Sequence, residues 1–107
     1  MTDYLQVSTV AGDRETAAKL ASAAVGAKLA AGAQVHGPVA SFFWHLGELG
    51  EGEEWQVTLK TRADRYAELE ALLLREHTWD NAEVSAVPLV KGTAAYFAWI
   101  DRTVAAE

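Results

Sequence analysis

The chain has no cysteine among its 107 residues. Disulfide staples, thiolate zinc sites and cysteine nucleophiles are excluded, and thiols say nothing about redox compartment. Basic charge is scarce as well: nine Lys and Arg stand against fifteen Asp and Glu, for a net charge of −6, and the cations never form a run. Phosphate backbones are held by clustered Lys and Arg, so a nucleic-acid partner is not expected. An anionic membrane surface is disfavoured for the same reason. Long hydrophobic runs are missing, and no window approaches the roughly 20 apolar residues of a membrane-spanning helix. The first residues lack the basic and apolar regions of a signal peptide, and strand-like residues begin at Tyr4. The expectation is a soluble, cytoplasmic protein.

What is present is apolar bulk. Half the residues are hydrophobic, including four Trp, three Tyr and three Phe. A chain this short buries only about 60–70% of its unfolded surface. Part of the apolar load is therefore expected in a subunit interface.

Tyr4 to Val10 reads as a strand of Tyr, Val and Thr, broken at Gly12 and Asp13, with Asp13 placed to cap a helix. Good helix formers fill Arg14 to Ala31, with Ala17, Leu20, Ala24 and Leu29 on the apolar face and Gly32 as the expected stop. Ala33 to Leu49 leans towards strand, and through Phe42, Phe43, Trp44, His45 and Leu46 both faces carry bulky groups. Such a strand needs cover on two sides. Gly47 to Gly52 reads as a glycine-rich hairpin tip, followed by an alternating strand from Trp55 to Thr61. Asp64 is placed to cap a second helix running to about His77, with Tyr66, Leu69, Leu72 and Leu73 inward. Glu83 to Val90 reads as a strand that Pro88 confines to an edge, and Gly92 and Thr93 open a last helix lined by Tyr96, Ile100 and Val104.

The order β-α-β-β-α-β-α predicts one α+β domain over residues 1–107, a ferredoxin-like split βαβ sandwich with a long hairpin between its second and third strands and a helix added at the end. With both main helices on one face, the other face of the sheet is expected to be bare, to carry Trp and Phe, and to be covered by self-association.

His77, Asp80 and Glu83 lie at three-residue intervals across a helix end and loop, and imidazole with carboxylate suits zinc or copper(II). The plainer alternative has His77 capping the helix and the carboxylates solvated. His36 and His45 flank the aromatic strand and are lesser ligand candidates. Lys60 and Arg62 form an anion-binding candidate, with exposed ion pairs to Glu68 or Glu70 as the alternative. The hairpin glycines are not followed by a helix, so they are no phosphate-binding fingerprint. Ser8, Ser41 and Ser85 have no His and Asp partners at motif spacing, and no enzyme is expected.

Several segments, in one order from Val7 to Ile100, resemble the CutA divalent-ion tolerance family: Lys28-Leu29-Ala30-Ala31 before Ala33-Gln34-Val35, Ser41-Phe42-Phe43-Trp44 before Gly47, Lys60-Thr61-Arg62, His77 with Trp79 and Glu83, Val87-Pro88-Leu89, and Tyr96 to Ile100. The resemblance implies a non-enzymatic homotrimer with interlocking hairpins, akin to PII-type signalling proteins. It also implies a divalent metal ion, copper(II) foremost, as partner, with His77 and Glu83 as ligands. By the PII likeness, Lys60 and Arg62 would instead hold a small anion in an intersubunit cleft, and a pure interaction scaffold is a third reading. The chain departs from the family pattern at Gly32, where a Cys is usual, and at Thr78-Trp79 and Ala82, where Pro-Tyr and Pro are usual. Thiolate-dependent metal chemistry is thereby removed.

Overall fold

Strand β1 (Tyr4–Ala11) runs through the middle of the molecule, between two antiparallel neighbours. After it come α1 (Arg14–Gly26), β2 (Gly32–His45), β3 (Glu48–Arg62), a single 3-10 turn (Ala63–Arg65), α2 (Tyr66–Glu76), β4 (Val84–Pro88) and α3 (Ala94–Val104). The computed structural model describes residues 3–105, so the two residues at each end of the expected domain lie outside the described part. The sheet order is β2-β3-β1-β4, the ferredoxin-like α+β arrangement expected from the element order. No helix among the described residues is long and apolar enough to cross a membrane.

One face of the sheet holds the core. Val7 and Ala11 of β1 and Val57 and Leu59 of β3 meet Ala17, Leu20 and Ala24 of α1 and Leu69, Leu72 and Leu73 of α2. Every second residue of a strand points to the same face, so β1 and β3 deliver these side chains together. The buried hydroxyl of Thr61 donates to the Leu29 carbonyl at 2.7 Å, tying the α1–β2 connection beneath the core.

The opposite face differs from expectation. Around β1 and β3 it is polar, and cross-strand pairing sets Gln34, Thr58, Ser8 and Ser85 in one row. The Trp and Phe expected there lie elsewhere. β2 and β3 outrun the sheet as a two-stranded arm, and Phe42, Phe43 and Trp44 are exposed on it. α3 covers one end of the polar face, where Ile100 and Val104 bury against Ala31 and Tyr4 stacks on Phe97 at 4.1 Å.

Three element boundaries also differ from the sequence reading. α1 stops at Gly26, capped by Ala27, and Lys28 takes a left-handed φ of 58° that turns the chain towards the sheet. Gly32 is thus the first residue of β2, opposite Lys60, and not a helix stop. The hairpin tip is the pair Leu46-Gly47, with φ of 51° and 81°, and Gly50 and Gly52 already belong to β3. Those glycines serve the ladder: a Cβ on Gly50 would stand 2.6 Å from the ring of its cross-strand partner Phe43. Asp64 does not cap α2, whose start follows the 3-10 turn; its carboxylate turns back to Arg62. Asp13 and Thr93 do cap α1 and α3, accepting from Thr16 and Tyr96 backbone N–H groups. Pro88 ends an edge strand, as expected.

A two-residue loop with both φ values positive favours Asn-Gly, and a branched apolar residue in that conformation costs about 1–2 kcal/mol. Leu46→Asn is therefore expected to raise stability by about 0.5–1 kcal/mol, read as a higher urea midpoint. A lower midpoint would show that the Leu46 side chain is held by contacts outside this chain.

Candidate functional site

Three regions carry the groups from which a site has to be built. The first is the turn after α2, where the backbone N–H of His77 closes the helix on Leu73. The His77 side chain reaches across to β1, with Nε2 2.6 Å from the Val10 carbonyl oxygen, while Nδ1 accepts the Trp79 N–H at 3.0 Å. A carbonyl only accepts, so Nε2 carries the proton and Nδ1 offers its lone pair. Both ring nitrogens are thus engaged within the chain. The imidazole caps neither its own helix nor an open loop; it pins the α2–β4 connection to the end of β1. Trp79 completes the clasp, 5.1 Å from the imidazole and over Gly12, where a Cβ would stand 3.5 Å from the indole.

Asp80 and Glu83 are exposed on the same loop. Among the described residues no three His, Asp or Glu side chains converge as a metal site, so His77, Asp80 and Glu83 do not form one within a single chain.

The second region is the end of β3. Arg62 and Lys60 point to the same side of the strand but meet different surroundings. Arg62 donates from Nε to Asp64 Oδ1 at 3.0 Å and lies 3.6 Å from Asp101 Oδ1. That pairing holds the Asp64 carboxyl below its ordinary range. Asp101 also accepts the Tyr4 hydroxyl at 2.8 Å, which pushes the Tyr4 phenol up. The ion pairs expected with Glu68 and Glu70 are made otherwise: Glu68 pairs with Arg65, and Glu70 accepts from the Tyr66 hydroxyl. Arg62 is thereby committed to neighbouring carboxylates. Lys60 makes no salt bridge among the described residues and borders a cavity of about 250 Å³ with Gly32, Ala33, Gln34, Thr58, Tyr96 and Trp99.

The cavity was not legible in the sequence. It depends on the register that sets Gly32 opposite Lys60 and Gln34 opposite Thr58, and on α3 crossing above them. The one available signal was Tyr96 and Trp99, three residues apart on one helix face.

The third region is the arm, where cross-strand pairing puts Trp44 beside Leu49 and Phe42 beside Glu51 on one face. His36 and His45 are both exposed, His45 next to the tip.

A four-stranded ferredoxin-like sheet with two helices on one face, a closing third helix and an aromatic arm defines a narrow class of small α+β domains. A family profile described as CutA1 divalent ion tolerance protein matches residues 5–103. The divalent-cation tolerance protein CutA of Archaeoglobus fulgidus is 31% identical over 90 residues, covering 84% of this chain and 87% of that protein. The CutA of an Escherichia coli strain is 29% identical over 103 residues, covering 96% and 92%. Among solved structures, the periplasmic divalent cation tolerance protein CutA from Archaeoglobus fulgidus superposes with a TM-score of 0.91 at 29% identity, covering 94% of this chain and 98% of the other. CutA1 from Shewanella sp. SIB1 gives 0.94 at 27% identity, covering 98% of each chain. The chain belongs to the CutA1 divalent ion tolerance family.

His77→Ala is expected to destabilise the protein by about 1–3 kcal/mol, because the Val10 carbonyl and the Trp79 N–H both lose their partner. The measurement is a urea midpoint at unchanged slope. A neutral result would mean that water replaces the imidazole at both positions.

Proposed function

We propose that the protein is a non-enzymatic homotrimer that binds a divalent cation, copper(II) foremost, in metal tolerance. The observation that carries the assembly is the arm. In the single chain Phe42, Trp44 and Leu49 are 67%, 75% and 67% exposed. Soluble monomers rarely leave so contiguous an apolar patch uncovered. An isolated two-stranded ribbon is marginal in water, so the arm needs a surface to lie on. A closed ring of like subunits supplies one to each arm.

The cation follows from family membership, since the relatives are named for divalent-cation tolerance. Within this reading the ion is bound between subunits, because one chain assembles no cluster of ligands among its described residues. Both nitrogens of His77 are occupied, so ligation there requires Nδ1 to release the Trp79 N–H. His45 is exposed on the arm that the assembly would bring against a neighbour, and His36 is exposed at the arm's root, opposite Gln56. They are our first choice of ligands, and His77 with Glu83 and Asp80 is the second.

Light scattering at micromolar concentration is expected to give three times the chain mass. In that assembly Trp44→Ala should cost about 3–5 kcal/mol, as for a buried aromatic. A monomer mass with a neutral Trp44→Ala would end the trimer reading.

Calorimetric titration of metal-free protein with copper(II) and zinc(II) tests the rest. Saturable copper(II) binding, one ion per subunit or per trimer, is expected to survive His77→Ala and to vanish in the double variant His36→Ala, His45→Ala. Loss in His77→Ala with retention in the double variant would return the ligands to the α2–β4 loop. No saturable binding of either metal would sink the cation reading.

A further inference from the structure

We propose that residues 39–46, the β2 half of the arm, form a self-pairing segment through which copies of this chain stack as cross-β strands, and that the glutamates of the β3 half hold that stacking back. The segment carries no carboxylate, ammonium or guanidinium, and no proline or glycine. Its bulk comes from Val39, Phe42, Phe43, Trp44 and Leu46, most of it β-branched or aromatic. A short uncharged run of this composition is the signature of strands that interdigitate as steric zippers. The bulge after His36 bounds it at the root, and the Leu46-Gly47 turn bounds it at the tip.

The topology leaves this run open. β2 is an outer strand of the sheet, so the side of residues 39–46 turned away from β3 has no strand partner among the described residues. Unpaired N–H and C=O groups along an edge are a template for another strand. The remaining edges are guarded. β4, on the opposite side of the sheet, is five residues long and ends at Pro88, which has no N–H to give. Within the arm, the outer side of β3 carries Glu48, Glu51, Glu53 and Glu54, spaced by Gly50 and Gly52. Copies stacked through β3 would set like charges about 4.8 Å apart, whereas copies stacked through β2 set rings on rings. The occupant of the bare edge is therefore the same segment of another copy.

The guard works across the ladder. Glu51 lies directly opposite Phe42, Glu53 opposite Ala40 and Glu48 opposite His45. Each copy added through β2 brings its own glutamates along, so charge accumulates as the stack grows. Charges flanking an unavoidable apolar strand restrain its aggregation in this way. A net charge of −6 on the whole chain acts in the same direction. Neither the cation nor the trimer is needed for this pairing; a neighbour lying on the arm only delays it.

The test uses the full chain, agitated in urea just below its unfolding midpoint so that contacts between subunits loosen. Thioflavin T fluorescence is expected to rise after a lag, and the product to give the cross-β reflection near 4.8 Å. Hydrogen exchange on the fibres, read by mass spectrometry, should show protection over residues 39–46. Ser41→Lys puts a charge in the middle of the segment, opposite Gly52, where nothing crowds the ladder. It is expected to lengthen the lag several-fold or abolish the fibres. The double variant Glu51→Gln, Glu53→Gln removes the guard without touching the segment, and is expected to shorten the lag several-fold. Circular dichroism before incubation checks that both variants start folded.

Absence of fibres from the unsubstituted chain and the double variant alike would overturn the proposal. Fibres whose protected core lies outside residues 39–46 would overturn it equally, as would a lag indifferent to both variants. Light scattering on the starting material reads the trimer separately, so that reading and this one fail independently.

Discussion

β2 and β3 hold each other along a ladder that outlasts the core beneath it. Their pairing begins at Gly32 and Lys60 under α3, passes over α1 and α2 at Val35 and Val57, and continues past a bulge between His36 and Val39 to His45 and Glu48. Core side chains support only the first part. Beyond Trp55 the strands have each other and their own aromatic side chains. Backbone pairing alone leaves a ribbon of this kind marginal, so cross-strand contacts such as Phe43 on Gly50 have to hold it straight. The same ladder positions both ends of the chain's chemistry: the cavity at its root and the exposed apolar arm at its tip.

Polar commitments sort the remaining groups. Arg62 and His77 looked equally available for ligands when taken as residue types, and both turn out to be spent on structure. Arg62 serves two carboxylates, and His77 closes a loop onto β1 through both of its nitrogens. Lys60 is different only because its cross-strand neighbour is a glycine and its helical neighbour presents rings. A charged group keeps its capacity for an outside partner where the fold supplies none inside.

The element order was readable because periodicity and capping agreed over most of the chain. Asp13 and Thr93 cap the helices they precede, Pro88 marks the edge strand, and Leu69, Leu72 and Leu73 face inward at helical spacing. The misreadings share one cause, which is that glycine has several uses. Gly50 and Gly52 resembled a turn because glycine tolerates turns, yet both lie in the ladder, where Gly50 makes room for the Phe43 ring. Gly32 resembled a helix stop, yet it begins β2 and leaves room for the Trp99 ring. The turns went instead to Leu46 and Lys28, residues whose own preferences oppose a left-handed backbone and whose place is set by tertiary pairing. The polar outer face was hidden likewise, since the bulky residues of β2 belong to its protruding half.

Tyr4 and Asp101 are 97 positions apart and share a hydrogen bond, and Tyr4 also stacks on Phe97. The opening strand and the closing helix are therefore a single mechanical joint. Fraying that starts at either extremity loosens the other, so the sheet's central strand and the lid over the cavity come apart as one event. Any sequence joined to the front or the back of the domain departs from the same pole, next to the cavity and away from the arm. A circularly permuted chain, with old ends linked and new ones cut at Leu46-Gly47, would keep that joint and move the free ends to the far tip.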